Sequence, residues 1–463
     1  MVIPVVLTNL RAQFRVPPLV QVRLKRFFRY QLPNYQYTKA FQMGIWDGDV
    51  NLMRSGGVAA GLFLYQIPAM KHAGYQFAIT DQRKFPQYLE QYPEHVVHSI
   101  RDYQSSAVDS MVRSTGGLVL CATGVGKTYL AAALFSRLQG KGLFIVDEQT
   151  LLLQSQKEIA SVVGSCGIVG GGRQEPERIT AATVQTLQRR IHQKLDWLKG
   201  IDVVFVDEIH LALNNRTEKV LRALQPKAVF GLTATLELDR PEVYMNAARL
   251  TGPVLYRYSI QQGSEEGHLT RGQVLRVMLP LEFPRGNYRQ DRSRLLRSTE
   301  RNRAVAEIVR LAIKRNHRVI VLVQYLEHLQ NLQNELNGIP KRVLCGAVPK
   351  EERAEAIHAM ERGEVPLLLA SSVFAKGVNI RSVDVIIDAS ATKSTNSAIQ
   401  RYGRGVRTYK DKRGLLFIDI ADVGNRFEEA ANKRRSALKT LGLPIKRLVW
   451  SSAEKVFDAA DSN

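Results

Sequence analysis

Cysteine is scarce in this chain: three in 463 residues, Cys121, Cys166 and Cys345, odd in number and far apart. That excludes a disulfide framework or a zinc site built on Cys-x-x-Cys spacing, and reduced thiols in a cytoplasm are the expectation. Also missing is any apolar run near the roughly 18 residues that a membrane span requires. The opening Met1-Val2-Ile3-Pro4-Val5-Val6-Leu7 is too short for a secretory signal and has no basic leader. Acidic residues are the third shortage: 43 Asp+Glu against 65 Lys+Arg leave +22. With 45% hydrophobic residues the composition is globular rather than disordered. At roughly 150 residues per domain the length suggests about three domains.

The excess charge is concentrated. Residues 1–95 carry +6, residues 285–318 carry +8 and residues 401–449 carry +8, while the remainder cancels. One basic run is ordinarily a solvated face; three flanking near-neutral blocks point to a polyanion such as nucleic acid.

From about residue 115 to 420, short apolar runs alternate with helical patterns. Residues 118–121, 142–146, 203–206, 229–232, 319–323, 367–370, 385–387 and 415–418 all read as buried strands. Strands separated by helices predict doubly wound parallel sheets, and this many strands predict two of them. The seam is expected near 265–300. Residues 1–95, rich in aromatics and turns, read as a separate small α+β domain. The predicted divisions are 1–95, 96–280 and 281–463.

Cys121-Ala122-Thr123-Gly124-Val125-Gly126-Lys127-Thr128 joins a strand to a helix. Small residues let the backbone N–H groups of Thr123, Gly124, Val125 and Gly126 approach phosphates, Lys127 reaches the β/γ oxygens and the Thr128 hydroxyl suits Mg²⁺. Cys121 stands where this loop usually opens with Gly. Two strand ends offer the metal carboxylate, Asp147-Glu148 and Asp207-Glu208. The carboxylate is expected on a strand next to the P-loop strand rather than on the next strand in sequence. Asp207 is therefore assigned to Mg²⁺, Glu208 to the attacking water, and Asp147-Glu148 to another face.

With Asp207-Glu208-Ile209-His210 in place, the chain resembles a superfamily 2 helicase of the DExH type. Arg101-Asp102-Tyr103-Gln104 is similar to that family's adenine-reading element, Thr233-Ala234-Thr235 to its coupling motif, Lys376-Gly377-Val378-Asn379-Ile380 to motif V and Gln400-Arg401-Tyr402-Gly403-Arg404-Gly405-Val406-Arg407 to motif VI. The resemblance implies two tandem RecA-like domains that use ATP and Mg²⁺. Arg101 and Gln104 would bind the base, Gly377 and Asn379 would contribute from the second domain, and Arg404 and Arg407 would act as arginine fingers. His210, Thr233, Thr235 and Gln400 would couple hydrolysis to the nucleic acid. Residues 252–260 with Gly267-His268-Leu269 resemble XPB-type and restriction-type translocases and phage UvsW-type helicases, and Trp46-Asp47-Gly48 favours the phage branch. That branch implies a cytoplasmic enzyme that remodels forked or branched DNA.

Nucleic-acid contacts are expected from Gln154, Thr183 and Gln185, whose polar side chains suit sequence-independent contact with the phosphate backbone. Lys25, Arg26, Arg29, Tyr30 and Lys39 interleave charge with rings and are expected to capture a duplex or junction. An RNA helicase, and a DNA-binding clamp or restriction-complex translocase subunit, remain alternatives.

Overall fold

The computed structural model describes residues 2–193, 195–234, 236, 240–371, 381–392 and 395–461. Thr235 and the motif V segment with Lys376, Gly377 and Asn379 lie outside the described residues. Two compact units are present, Met1–Cys121 with Gly126–Tyr258, and Ser259–Asn463 with Ala122–Val125. Among the described residues no helix is long and apolar enough to cross a membrane.

The first unit opens with β1 (Val2–Leu7) and β2 (Arg11–Phe14), followed by helix α1 (Pro18–Lys25). A two-stranded ribbon, β3 (Arg29–Gln31) with β4 (Asp49–Asn51), precedes β5 (Gly57–Ala59), α2 (Ala60–His72) and β6 (Gln76–Asp81). The order β5-β2-β1-β6 makes a mixed sheet in which only the β1–β6 pair is parallel. Burial alternates along β1, so Ile3, Val5 and Leu7 face the core with Phe14, Phe28 and Phe63. This is the period-2 pattern of a sheet covered on one face.

The same unit continues through α3 (Asp102–Val112), β7 (Gly116–Cys121), α4 (Lys127–Arg137), β8 (Lys141–Val146), α5 (Gln149–Val163), β9 (Gly167–Gly170), β10 (Arg173–Glu175) and β11 (Ile179–Thr183). It ends with α6 (Val184–Arg190), β12 (Ile201–Val206), β13 (Ala228–Thr233), α7 (Pro241–Leu250) and β14 (Val254–Tyr258). The sheet order is β10-β9-β11-β8-β12-β13-β7-β14, parallel except for the β9–β10 pair. Its central strands are buried on both faces, as their unbroken Val, Leu, Ile and Phe runs predict.

The N-terminal sheet is not a free-standing body. Its core takes in Met245 and Ala248 of α7. Gly61 lets α2 lie against that helix, because a Cβ there would sit 2.4 Å from the Ala248 carbonyl oxygen. Tyr65 packs on Tyr244 with ring centroids 4.7 Å apart, and the Asn246 amide donates to the Tyr30 hydroxyl at 2.9 Å.

The second unit comprises β15 (Gly272–Pro280), α8 (Thr299–Lys314), β16 (Val319–Val323), β17 (Lys341–Leu344), β18 (Leu367–Ser371), β19 (Val385–Asp388), α9 (Thr395–Gly405), β20 (Leu415–Val423), α10 (Glu428–Lys439), β21 (Ile445–Val449) and α11 (Ala453–Asp461). Its sheet runs β17-β18-β16-β19-β20-β15-β21, with every pairing parallel. The two doubly wound parallel sheets expected from the sequence are therefore present. The boundary expected at 280/281 falls one strand late, because β15 lies between β20 and β21 and draws its pairing from the second sheet.

Buried ion pairs fix the second unit's helices to its sheet. Arg301 of α8 meets Asp422 of β20 at 2.6 Å, Arg401 of α9 meets Asp388 of β19 at 2.8 Å, and Arg434 of α10 meets Asp419 of β20 at 2.7 Å. Breaking one such pair costs about 3–5 kcal/mol, because the survivor is left as an uncompensated buried charge.

Candidate nucleotide site

β7 delivers the chain into Ala122–Gly126, where Gly124 and Gly126 have φ of +95° and +80°. Those left-handed conformations favour glycine and start α4 at Lys127, so the helix N-terminus faces the loop. Gln104 of α3 is buried beside this turn. Its side-chain oxygen accepts from the Arg101 N–H at 3.0 Å, and its amide nitrogen lies 3.2 Å from where a Cβ on Gly126 would be. The predicted base-reading residue is thus held against the phosphate loop by the first turn of its own helix. Tyr103 stacks on Tyr258 with ring centroids 4.0 Å apart. Cys121 is fully buried and burial pushes its thiol up to about 12, so it acts as a small apolar residue.

The Lys127 ammonium lies 3.4 Å from a Glu208 carboxylate oxygen. Glu208 has φ of +44°, a left-handed conformation uncommon for a residue with a side chain, at the sharp turn leaving β12. Thr233, buried at the end of β13, donates its hydroxyl to Glu208 Oε2 at 3.4 Å. The same hydroxyl is hydrogen-bonded to His210 Nδ1 at 2.9 Å. Residues 127, 208, 210 and 233, drawn from three separate stretches of the sequence, therefore form one connected network.

The strand order corrects one step of the sequence argument. The neighbours of β7 are β13 and β14, so β12 is not adjacent to the P-loop strand. β13 intervenes, which is why Thr233 reaches Glu208. β8, the strand of Asp147, lies one position further from β7 than β12 does, and Asp147 is exposed and bonded to Gln185. Asp207 stays closer to the P-loop than Asp147 on this ground. Its carboxyl is pushed up to about 7 by burial first and by the Glu208 charge second, opposed by Lys127. Two carboxyl groups so placed suit a divalent cation, whose charge would relieve both effects.

The expected nucleic-acid contacts divide. Lys25, Arg26, Arg29, Lys39 and Gln154 are exposed. Arg29 pairs with Asp49 at 3.2 Å. Thr183 is buried with its hydroxyl on Thr186, and Gln185 bonds the Asp147 carbonyl and carboxylate. Tyr30 spends its hydroxyl on Asn246. All three polar groups thus bond within the protein, and of the three only Thr183 is buried.

In the second unit, Gln400 and Arg404 ride on α9, and Arg407 follows its end. Two residues that sequence reasoning missed hold that end. Thr270 bonds the Val406 and Arg407 carbonyls at 2.7 and 3.1 Å, beside a bridge between Leu269 and Arg407. The Lys412 ammonium donates to the Arg381 carbonyl at 3.1 Å and to the carbonyls of Gly405 and Arg407. Burial lowers the Lys412 pKa to about 8. Its place in the run Lys410-Asp411-Lys412-Arg413 gives no sign of this.

Family comparisons agree with the geometry. Residues 97–238 match the family described as "Type III restriction enzyme, res subunit", and residues 300–409 match "Helicase conserved C-terminal domain". The chain belongs to the superfamily 2 helicases. Among curated relatives, "DNA 3'-5' helicase XPB" of Mycobacterium tuberculosis is 27% identical over 74% of this chain and 64% of its own length. "DNA 3'-5' translocase XPB2" of Sulfurisphaera tokodaii is 23% identical over 73% of this chain and 84% of its own. The chain thus spans just under two-thirds of the first of these relatives. Among solved structures, the Pyrococcus furiosus Hef helicase domain aligns over 74% of this helicase and 100% of its own chain, with 18% identity and a TM-score of 0.51.

Proposed function

We propose that this helicase is an ATP-driven DNA motor that remodels forked and branched DNA, as in fork regression or junction migration. The carrying observation is the network from Lys127 through Glu208 to Thr233 and His210, which ties the phosphate loop to the strand end expected to signal toward nucleic acid. XPB-type relatives named as DNA helicases and translocases support DNA as the track. The exposed basic residues of the N-terminal sheet support an accessory grip on DNA.

In this reading Gln104 holds the base and the P-loop N–H groups hold the phosphates. Lys127 neutralises their oxygens, and Glu208 orients the attacking water and takes its proton. Thr128 and Asp207 would hold Mg²⁺, which when bound supplies positive charge for the developing phosphate oxygens. Arg404 and Arg407 are the arginine fingers, a role that can contribute about 10³–10⁵ in rate. His210 and Thr233 register whether Glu208 is engaged.

ATP hydrolysis measured with no nucleic acid, single-stranded DNA, duplex, a four-way junction and RNA tests the proposal. Stimulation should be largest with the junction. Equal stimulation by the three DNAs would remove the branch preference, and stimulation by RNA alone would overturn the DNA assignment. Lys127→Ala should abolish hydrolysis and retain DNA binding, since one phosphate contact is lost and the exposed basic residues remain.

A further inference from the structure

The N-terminal sheet carries a feature that the ATP site does not use. Between β3 and β4 the chain makes a compact Ω-loop whose ends are pinned by the Leu32 N–H on the Gly48 carbonyl at 2.9 Å. Its interior is packed: the Tyr35 ring lies on Gly48, where a Cβ would come within 2.3 Å, and meets Phe41 edge-on at 4.7 Å. The Trp46 indole N–H bonds the Asp49 carbonyl at 2.8 Å, and Thr38 caps the short helical turn that follows it. A loop this well fastened nonetheless leaves Tyr37, Met43 and Ile45 at 76%, 70% and 72% exposure. Large apolar side chains held out by a rigid loop, while neighbouring rings are packed inward, mark a contact surface.

Charge identifies the occupant. Residues 15–56 hold seven basic and two acidic groups. Both acids are engaged locally: Asp49 pairs with Arg29, and Asp47 accepts from the Asp49 N–H. Lys39 sits on the loop itself, and Arg23, Lys25, Arg26 and Arg29 line a depression near its base. The ribbon that carries the loop is tied through Tyr30 to Asn246 of α7, the next labelled helix after the strand bearing Thr233.

We propose that the 33–47 loop is a prong that places Tyr37, Met43 and Ile45 against the exposed bases at a DNA branch point, with Lys39, Arg23, Lys25 and Arg26 on the flanking phosphates. Continuous duplex offers phosphates but no bare base face, so this surface distinguishes a branch from an uninterrupted helix. The inference rests on the DNA reading above and names the part of the molecule that would supply its branch preference.

The test uses the full chain with Tyr37, Met43 and Ile45 all changed to Ser. All three are exposed, and an unchanged thermal transition checks folding. Affinity is measured for continuous duplex and for a four-way junction with 2-aminopurine at the branch. The wild type should prefer the junction and brighten the probe by unstacking it. The variant should lose about tenfold in junction affinity, one stacked base's worth, keep duplex affinity within about twofold and leave the probe dark. An unaltered junction preference in the variant would overturn the prong. So would a wild-type dimer that the variant turns into monomer, because the patch would then be a contact between copies. A wild type that binds no DNA would instead sink the underlying reading, and the two failures are distinguishable.

Discussion

Among the described residues the buried Thr233 hydroxyl meets both Glu208 and His210. Thr233→Val keeps the shape and removes both bonds, leaving a carboxylate and an imidazole without this link. Stability should fall by about 1–3 kcal/mol, the cost of unmade buried polar interactions. If the network couples hydrolysis to DNA, DNA-stimulated turnover should fall about tenfold while unstimulated turnover changes less than about threefold. Equal losses in both would show that Thr233 only shapes the hydrolytic site. Lys412 gives a second prediction, in pH. Its ammonium titrates near 8 in the fold against 10.5 unperturbed, because burial disfavours the charge. Below 8 both states hold the proton and the cost of burying it is fully present. Between 8 and 10.5 the unfolded chain holds more protons, so this group makes stability rise with pH, by up to about 1.4 kcal/mol per unit. Lys412→Met should abolish that rise. Urea midpoints for the second unit's transition at pH 7 and pH 10 should show the wild type gaining on the variant at the higher pH; a constant difference would exclude a buried titrating lysine.

At the scale of elements, the N-terminal sheet is joined to α7 by packing and by the Asn246–Tyr30 bond. Tyr30→Phe should cost about 1 kcal/mol in stability, one hydrogen bond, and leave DNA affinity unchanged, whereas the unmutated ring was expected from sequence to touch DNA. A fall in affinity without loss of stability would restore that expectation. The contrast shows what a lone sequence discloses. The strands around 118–121, 142–146 and 203–206 were legible because short continuous apolar runs bounded by turn residues or charges have few other uses. Ile179–Thr183 was not, since its two central alanines are poor strand formers and its two threonines are polar, and it is flanked in the sheet by β8 and β9. That Lys127 and Glu208 would meet was legible, because phosphate chemistry fixes residue types at short spacing within each motif, and they stand 3.4 Å apart. The place of β13 between β12 and β7 was not, because strand order is decided by crossovers that no local pattern records. That Thr183 is buried and Tyr30 half-buried was not legible either, because exposure is a tertiary property.

For the whole molecule, the +22 overstates the charge available to DNA. The buried pairs Arg301–Asp422, Arg401–Asp388 and Arg434–Asp419 are each neutral, so they add nothing to that excess and present nothing to a phosphate. In the proposed function Arg404 and Arg407 serve ATP rather than DNA. What is left for DNA is the exposed basic set of the N-terminal sheet and its counterparts on the second unit. Each phosphate neutralised by such a group releases condensed counterions, so the logarithm of affinity falls with the logarithm of salt at about 0.9 per contact on duplex. A footprint matching the total charge would give a slope near −20; only phosphates in contact count, so the slope should be shallower than that. Lys25→Ala and Arg26→Ala should each reduce the slope by about 1 and weaken all DNA sequences alike, as loss of a phosphate contact requires. The Arg29→Ala slope should change less, because Asp49 already holds that guanidinium at 3.2 Å and must release it before DNA can use it. Equal changes at all three positions would mean that the Arg29–Asp49 pair does not compete with DNA.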